Sequence, residues 1–158
     1  MSIAPTLQKY LDDNVTYELL SHEPTMSSMR TAQASHISGE CLAKGVVLRG
    51  VGGYMLAVLP ASHHIRLPEL EMQFGEAVSL AAENEIDGLF KDCAHGAIPP
   101  VGECYGLDTI VDDSLSEKPE IYLEAGDHET LVHLDRSQFA KLTADARHGR
   151  FSMPASAY

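Results

Sequence analysis

The fold is decided by Lys44-Gly45-Val46-Val47-Leu48-Arg49-Gly50-Val51-Gly52-Gly53-Tyr54-Met55-Leu56-Ala57-Val58-Leu59. Two runs rich in Val and Leu flank a glycine-rich corner. Branched and aliphatic side chains suit a pleated, half-buried surface, and glycine supplies the backbone angles that a tight reversal needs. The stretch therefore predicts a hairpin of strands 44–49 and 54–59. Further along, 120–124 and 130–134 predict a second hairpin around Gly126, and 107–111 another strand. Residues 15–20 alternate as a strand does, with Val15, Tyr17 and Leu19 set against Thr16 and Glu18.

Helices fall between these strands. One is expected over 4–13, with Leu7, Tyr10 and Leu11 on one side. A second is expected to run through Ile37, capped by Ser28 or Thr31, whose hydroxyls can accept from a first-turn N–H. Others are expected over 67–74, 79–90 and 135–142. Residues 92–106 carry Gly96, Pro99, Pro100, Gly102 and Gly106, which predicts a shaped loop. The last residues, 147–158, are expected to form a loose tail. Hairpins rather than βαβ units connect the strands, so the fold class is α+β, a mixed or antiparallel sheet with flanking helices. There is neither an internal repeat nor an interdomain linker, and 158 residues suit a single domain over 1–158.

Composition narrows the function. Lys and Arg total 11 against 23 Asp and Glu, a net charge of −12. A broad basic face for duplex DNA is not expected from such a chain. The apolar stretch 50–62 is too short to span a bilayer, and the N-terminus has neither a basic region nor an apolar run typical of a secretory signal. Cys41, Cys93 and Cys104 are three, with no CxxC, so a disulfide framework or zinc site is not indicated. A cytoplasmic location is the simplest expectation.

Familiar catalytic patterns are missing. The sequence has no GxxxxGK[ST], no GxSxG and no HExxH, and its Gly50-Val51-Gly52-Gly53 does not complete GxGxxG. His63 and His64 are adjacent, and on a strand they would point to opposite faces, which suits chelation poorly. Cys93 and Cys104 read as small buried residues. A thiol nucleophile at Cys93 would need a base, and His95 is its nearest sequence neighbour of that kind.

Two features are left. Lys44 begins an apolar strand, where it either snorkels to water or holds a carbonyl or phosphate oxygen at a pocket mouth. The stretch Asp92-Cys93-Ala94-His95-Gly96-Ala97-Ile98-Pro99-Pro100-Val101-Gly102 is either a rigid connection or a loop whose backbone comes close to a ligand. Gly96 lacks a Cβ and the prolines fix the path, so backbone N–H groups there can polarise a carbonyl.

Four stretches in this order resemble the YbaK / prolyl-tRNA editing domain family. They are His22-Glu23-Pro24 through Met29-Arg30-Thr31-Ala32-Gln33-Ala34-Ser35; Leu42-Ala43-Lys44-Gly45-Val46-Val47-Leu48-Arg49; the 92–102 loop; and Ile121-Tyr122-Leu123-Glu124-Ala125-Gly126-Asp127-His128-Glu129-Thr130-Leu131-Val132-His133-Leu134 followed by Phe139-Ala140-Lys141-Leu142. The resemblance implies a curved mixed sheet and hydrolysis of wrongly charged aminoacyl-tRNA. It implies that Lys44 positions the substrate, that Gly96, Ala97, Ile98 and Pro99 contact the aminoacyl-adenosine end, and that Met29 and Thr31 lie near the amino-acid pocket. His128 falls where some members carry a functional histidine. Gly45, where many members have a polar residue, and Ala94-His95, where Glx-Pro is common, bear on which amino acid is edited.

The expected function is trans-editing: hydrolysis of a small, mischarged amino acid from tRNA, with no metal, cofactor or covalent intermediate. The expected partners are the tRNA acceptor end and an aminoacyl-tRNA synthetase, with no membrane and no duplex DNA. A net charge of −12 disfavours wide contact with the tRNA body. The late basic residues Arg136, Lys141, Arg147, His148 and Arg150 read as a solvated helix face. The alternative is a non-catalytic regulatory module of the same fold that binds a ligand or partner.

Overall fold

The computed structural model describes residues 3–24 and 27–155; the Ser28 side chain also lies outside the described residues. Helix α1 (Pro5–Asn14) leads into β1 (Glu18–Ser21), α2 (Ser28–Ala34), β2 (Leu42–Gly50), β3 (Gly53–Pro60) and β4 (His63–Ile65). Then come α3 (Leu67–Phe74), β5 (Ser79–Leu80), α4 (Glu83–Leu89), β6 (Asp108–Asp112) and α5 (Asp113–Ser116). The chain continues through β7 (Glu120–Glu124), β8 (Thr130–Asp135), α6 (Arg136–Leu142), β9 (Arg147–Gly149) and β10 (Ser152–Pro154).

The main sheet runs β1-β8-β7-β2-β3-β6-β9, with β5 added beside β2. It is mixed. The β2–β3 and β7–β8 hairpins are antiparallel, as their glycine corners predict, while β7 meets β2 and β3 meets β6 in parallel. One face packs Leu7 and Leu11 of α1 and Phe139 of α6 against Val47, Val58, Leu123 and Val132. The opposite face carries Leu48, Leu59, Leu70 and Phe151 in one cluster and Ala32, Leu42 and Leu131 in another.

Where the fold differs from the sequence reading, local physics explains it. Helix α2 is capped by Ser27, whose Oγ accepts from the Arg30 N–H at 3.2 Å, and it ends at Ala34, short of Ile37. The expected helix over 79–90 starts at Glu83, because Ser79 and Leu80 pair with Arg49 and Leu48 of β2 instead. Strand β1 is an edge strand exposed along its length, with Leu19 46% and Leu20 40% accessible; its neighbours Val15 and Tyr17 are the residues that reach the core. The tail is not loose over 147–155. Strand β9 extends the main sheet, β10 pairs with β4, and Phe151 is fully buried between them. Residues 156–158 lie outside the described residues.

One feature of the sheet matters most for the site. Strands β2 and β7 pair only at Leu42↔Tyr122 and Ala43↔Leu123. Beyond that point no pairing joins them, and Lys44 and Glu124 are the next residue on each strand. Extending the register puts these two side chains on the same face of the sheet.

Candidate functional site

The loop expected over 92–106 bridges the two sides of this parting. On the β7–β8 side, the Ala94 N–H donates to Gly126 O at 2.7 Å, and His128 Nε2 donates to His95 O at 2.6 Å. On the β2 side, Ile98 and Pro100 lie against Gly45. A Cβ at Gly45 would stand 2.9 Å from Leu56 Cδ1 and 3.4 Å from Pro100 Cα, so glycine is what lets the loop come this close. Gly96 has φ +81°, a left-handed conformation that glycine adopts without penalty. His128 itself sits at φ +64°. Gly45, Gly96 and Ile98 line an open cleft of about 190 Å³ together with Glu83, Ile86, Asp87 and His95.

Of the backbone donors in this loop, the Ala97 N–H is already engaged by Ala94 O at 3.0 Å. Gly96 and Ile98, which line the cleft, have no such backbone partner for their N–H groups among the described residues. Ala97 and Pro99 are buried and hold the loop's path. His95 turns away from Cys93: its Nδ1 meets Asp87 at 2.9 Å, and the hydrogen bond and charge of Asp87 raise its pKa. Burial pushes the Cys93 thiol up to about 11. A thiol that resists ionisation, with no imidazole facing it, is not a nucleophile.

Lys44 is half-buried. Its Nζ donates to His63 O at 2.7 Å and, more weakly, to Ala61 O at 3.4 Å. Burial lowers its pKa below that of an ordinary lysine. Two carbonyls engage two of its three N–H groups, and both favour the charged form. Thr31 is fully buried, and its hydroxyl donates to Glu124 Oε1 at 3.1 Å. Met29, on the exposed side of α2, approaches Gly39: a Cβ there would stand 2.8 Å from Met29 Sδ.

Residues 22–142 match the aminoacyl-tRNA editing domain family. The chain belongs to that family. Among solved structures, this editing domain superposes at TM-score 0.80 and 21% identity on one described as a "putative trans-editing enzyme for prolyl tRNA synthetase", covering 96% of this chain and 99% of that one. A hypothetical protein, APE2540, gives TM-score 0.82 at 20% identity, with 94% and 99% covered. A scaffold protein from computational epitope grafting gives 0.80 at 20%, with 95% and 97% covered. Identities this low establish the shared fold. No curated protein matches the chain.

The editing domain thus brings together His128 with the Gly96 loop, and Thr31 with Glu124; the ammonium of Lys44 is held by Ala61 and His63 instead. Glu124 and His22 were not singled out from sequence, though both lie in the stretches that carry the family resemblance. Glu124 ends an apolar run, Ile121-Tyr122-Leu123, just before Ala125-Gly126. A carboxylate inside so apolar a strand was the available signal. It is only 6% exposed, and burial raises its pKa. Among the described residues no group of three or more His, Cys, Asp or Glu is arranged to hold a metal ion, and no helix is long and apolar enough to cross a membrane. The late basic residues are dispersed over α6, β9 and the segment after it, and several are partnered. Arg136 donates to the carbonyls of Glu117 and Lys118, Arg150 lies near Asp113 and Glu117, and Arg147 stacks over Phe74.

Proposed function

We propose that this editing domain is a trans-acting aminoacyl-tRNA deacylase that removes a small, wrongly attached amino acid from the acceptor end. The observation that carries this reading is the half-buried ammonium of Lys44, borne by the first β2 residue beyond the pairing with β7. It is held from behind by two carbonyls and keeps one N–H uncommitted. That N–H is suited to the carbonyl oxygen of an ester or to a ribose oxygen beside it. The Gly96 and Ile98 N–H groups offer further donors for oxygen charge that develops during attack.

In this mechanism water adds to the ester carbonyl carbon and the bond to the ribose oxygen breaks. The water proton ends on that ribose oxygen, releasing the amino acid and a free terminal hydroxyl. The neighbouring ribose hydroxyl assists in orienting the water. An aminoacyl ester is already activated, so positioning and oxyanion stabilisation suffice without a protein nucleophile. Lys44 acts as a positioning charge here, since its carbonyl partners favour the ammonium over the free amine.

The net charge of −12 supports a grip confined to the acceptor end, with delivery of the tRNA by a synthetase. The neighbour described for prolyl tRNA synthetase makes mischarged prolyl-tRNA acceptors the first substrates to try. The test is deacylation of tRNA carrying Ala, Ser, Cys, Thr or Pro by the wild type and Lys44→Ala. Hydrolysis that collapses in the variant supports the reading. A folded wild type that is inactive on every substrate overturns it in favour of a non-catalytic binding module.

A further inference from the structure

Glu124 has an unmet need. Its Oε1 accepts from Thr31, but its Oε2 is buried and has no hydrogen-bond partner. Charge-bearing oxygens in protein interiors are almost always satisfied, and an orphan one of this kind is costly to keep. A second orphan lies within its electrostatic reach, on His22. The His22 Nδ1 meets the Glu23 carbonyl at 2.7 Å. A carbonyl can only accept, so Nδ1 carries the proton and Nε2 of the neutral ring is an acceptor. That Nε2 is likewise buried without a partner. His128 is tied in the same fashion, with Nε2 donating to His95 O, and it too lies within electrostatic reach of Glu124.

The arrangement therefore presents two unpartnered buried polar atoms, one a carboxyl oxygen and the other an imidazole nitrogen that accepts when the ring is neutral. The complementary ligand is a group with several N–H donors and a positive charge. Position narrows the choice. Glu124 follows the last β7 residue paired to β2, and Lys44 holds the matching place on β2. In the proposed reaction Lys44 faces an ester oxygen. In an aminoacyl ester the α-nitrogen is three bonds from the carbonyl oxygen, so a subsite on the strand next to that of Lys44 suits the α-nitrogen.

We propose that Glu124, assisted by His22, forms the subsite for the free α-ammonium group of the aminoacyl ester, so that unblocked amino acids are selected over N-acylated ones. The proposal rests on the deacylase reading above and gives it a chemical selectivity. Glu124 also offsets the repulsion that the substrate ammonium would otherwise meet from Lys44. Thr31 acts as a positioning residue: its hydroxyl fixes Oε1 and so turns Oε2 toward the ligand.

The experiment measures binding of two hydrolysis-resistant mimics, 3′-alanylamino-3′-deoxyadenosine and its N-acetyl counterpart, to the wild type and to Glu124→Gln. Both proteins are first shown to be folded by thermal unfolding. A hydrogen bond between charged partners predicts that the wild type prefers the free amine roughly ten- to a hundredfold, and that Glu124→Gln loses this preference while binding the N-acetyl mimic as before. Equal binding of the two mimics by the wild type overturns the proposal. So does a Glu124→Gln variant that weakens both equally, or a wild type that binds neither. A wild type that shows the preference but deacylates no tRNA would leave the subsite standing and remove the catalytic reading instead.

Discussion

Lys44 Nζ is hydrogen bonded to the backbone carbonyl of His63 at 2.7 Å, and the position of that carbonyl is set by the C-terminal strand. Strand β4 pairs with β10 through His63↔Pro154, His64↔Met153 and Ile65↔Ser152. The His63 ring adds a contact between Nδ1 and Ser152 Oγ at 2.9 Å, and Ser152 in turn donates to Asp112. A chain of polar contacts thus runs from a buried carboxylate, through the last strand, to the ammonium at the site. A lysine has four flexible side-chain bonds, and holding its end in place requires acceptors that do not themselves move.

Removing that ammonium should be severe for activity and mild for the fold. Lys44→Ala is expected to lower the deacylation rate by about 10²–10³-fold, the usual effect of losing one oxyanion donor. Its pH dependence is equally specific. Burial lowers the Lys44 pKa, so the rate should fall with rising pH before an ordinary lysine would deprotonate. Over the interval between the lowered and the ordinary value, the unfolded chain binds the proton and the folded chain does not. Stability therefore rises with pH across the interval in which activity falls. Lys44→Arg stays charged throughout, and its residual rate should show no such limb. A pH–rate profile of the wild type and both variants checks all of this.

Gly96→Ala tests the loop. The added Cβ would lie 3.6 Å from His128 Cε1, an ordinary contact, so sterics alone do not forbid it. The backbone does: at φ +81° a non-glycine residue costs roughly 1–2 kcal/mol. The expected result is a lower unfolding temperature together with a reduced kcat, because relaxing the strain moves the Gly96 and Ile98 N–H groups. Full activity in a variant of lowered stability would show that these donors do not touch the reacting ester.

Much of this architecture was legible in the sequence, and the failures have physical causes. The β2–β3 hairpin was readable because glycine corners and aliphatic strands are local signals. Helix α3 was readable because Leu67 to Phe74 is bounded by Pro68 in its first turn and Gly75 after its last. The fate of Ser79 and Leu80 was not readable, since pairing to β2 is a tertiary event. The C-terminal strands were hidden for the same reason: three-residue segments such as β9 and β10 have no periodicity of their own. At the site, Lys44 stood out as a charge in an apolar run. The role of Glu124 depends on orphaned atoms, which only three-dimensional packing defines.

The C-terminal segment should be structural rather than dispensable. Phe151 is fully buried in the cluster with Leu48, Leu59, Leu70 and Ile110, and its N–H donates to Asp112 Oδ2 at 3.0 Å. Phe151→Ala is expected to cost about 3–5 kcal/mol through lost contacts and the cavity left behind. Truncation after residue 146 removes β9 and β10 together and should also release the His63 carbonyl that holds Lys44. Denaturant unfolding measures the first effect. A truncated protein that keeps both wild-type stability and deacylase activity would contradict the packing described for this segment.

Glu124→Gln separates stability from function at a single atom. Burial raises the Glu124 pKa above the ordinary carboxylate value. Between those two values the folded state binds more protons than the unfolded state, so stability falls as pH rises through that window. Once the pH exceeds the raised value the wild type carries the full penalty of a buried charge with one unmet oxygen, whereas glutamine carries none of that charge. The variant is expected to unfold at a higher temperature than the wild type at pH 7, with each kcal/mol gained appearing as roughly 2–4 °C. That advantage should shrink on acidification and vanish below the ordinary carboxylate range, where the wild-type side chain is neutral as well. Thermal unfolding of both proteins from acid to neutral pH provides the measurement. A gap of constant size across the whole range would mean that burial does not raise the Glu124 pKa, whereas a gap still widening at pH 7 would mean that the carboxyl is not yet ionised in the fold and could not attract an ammonium.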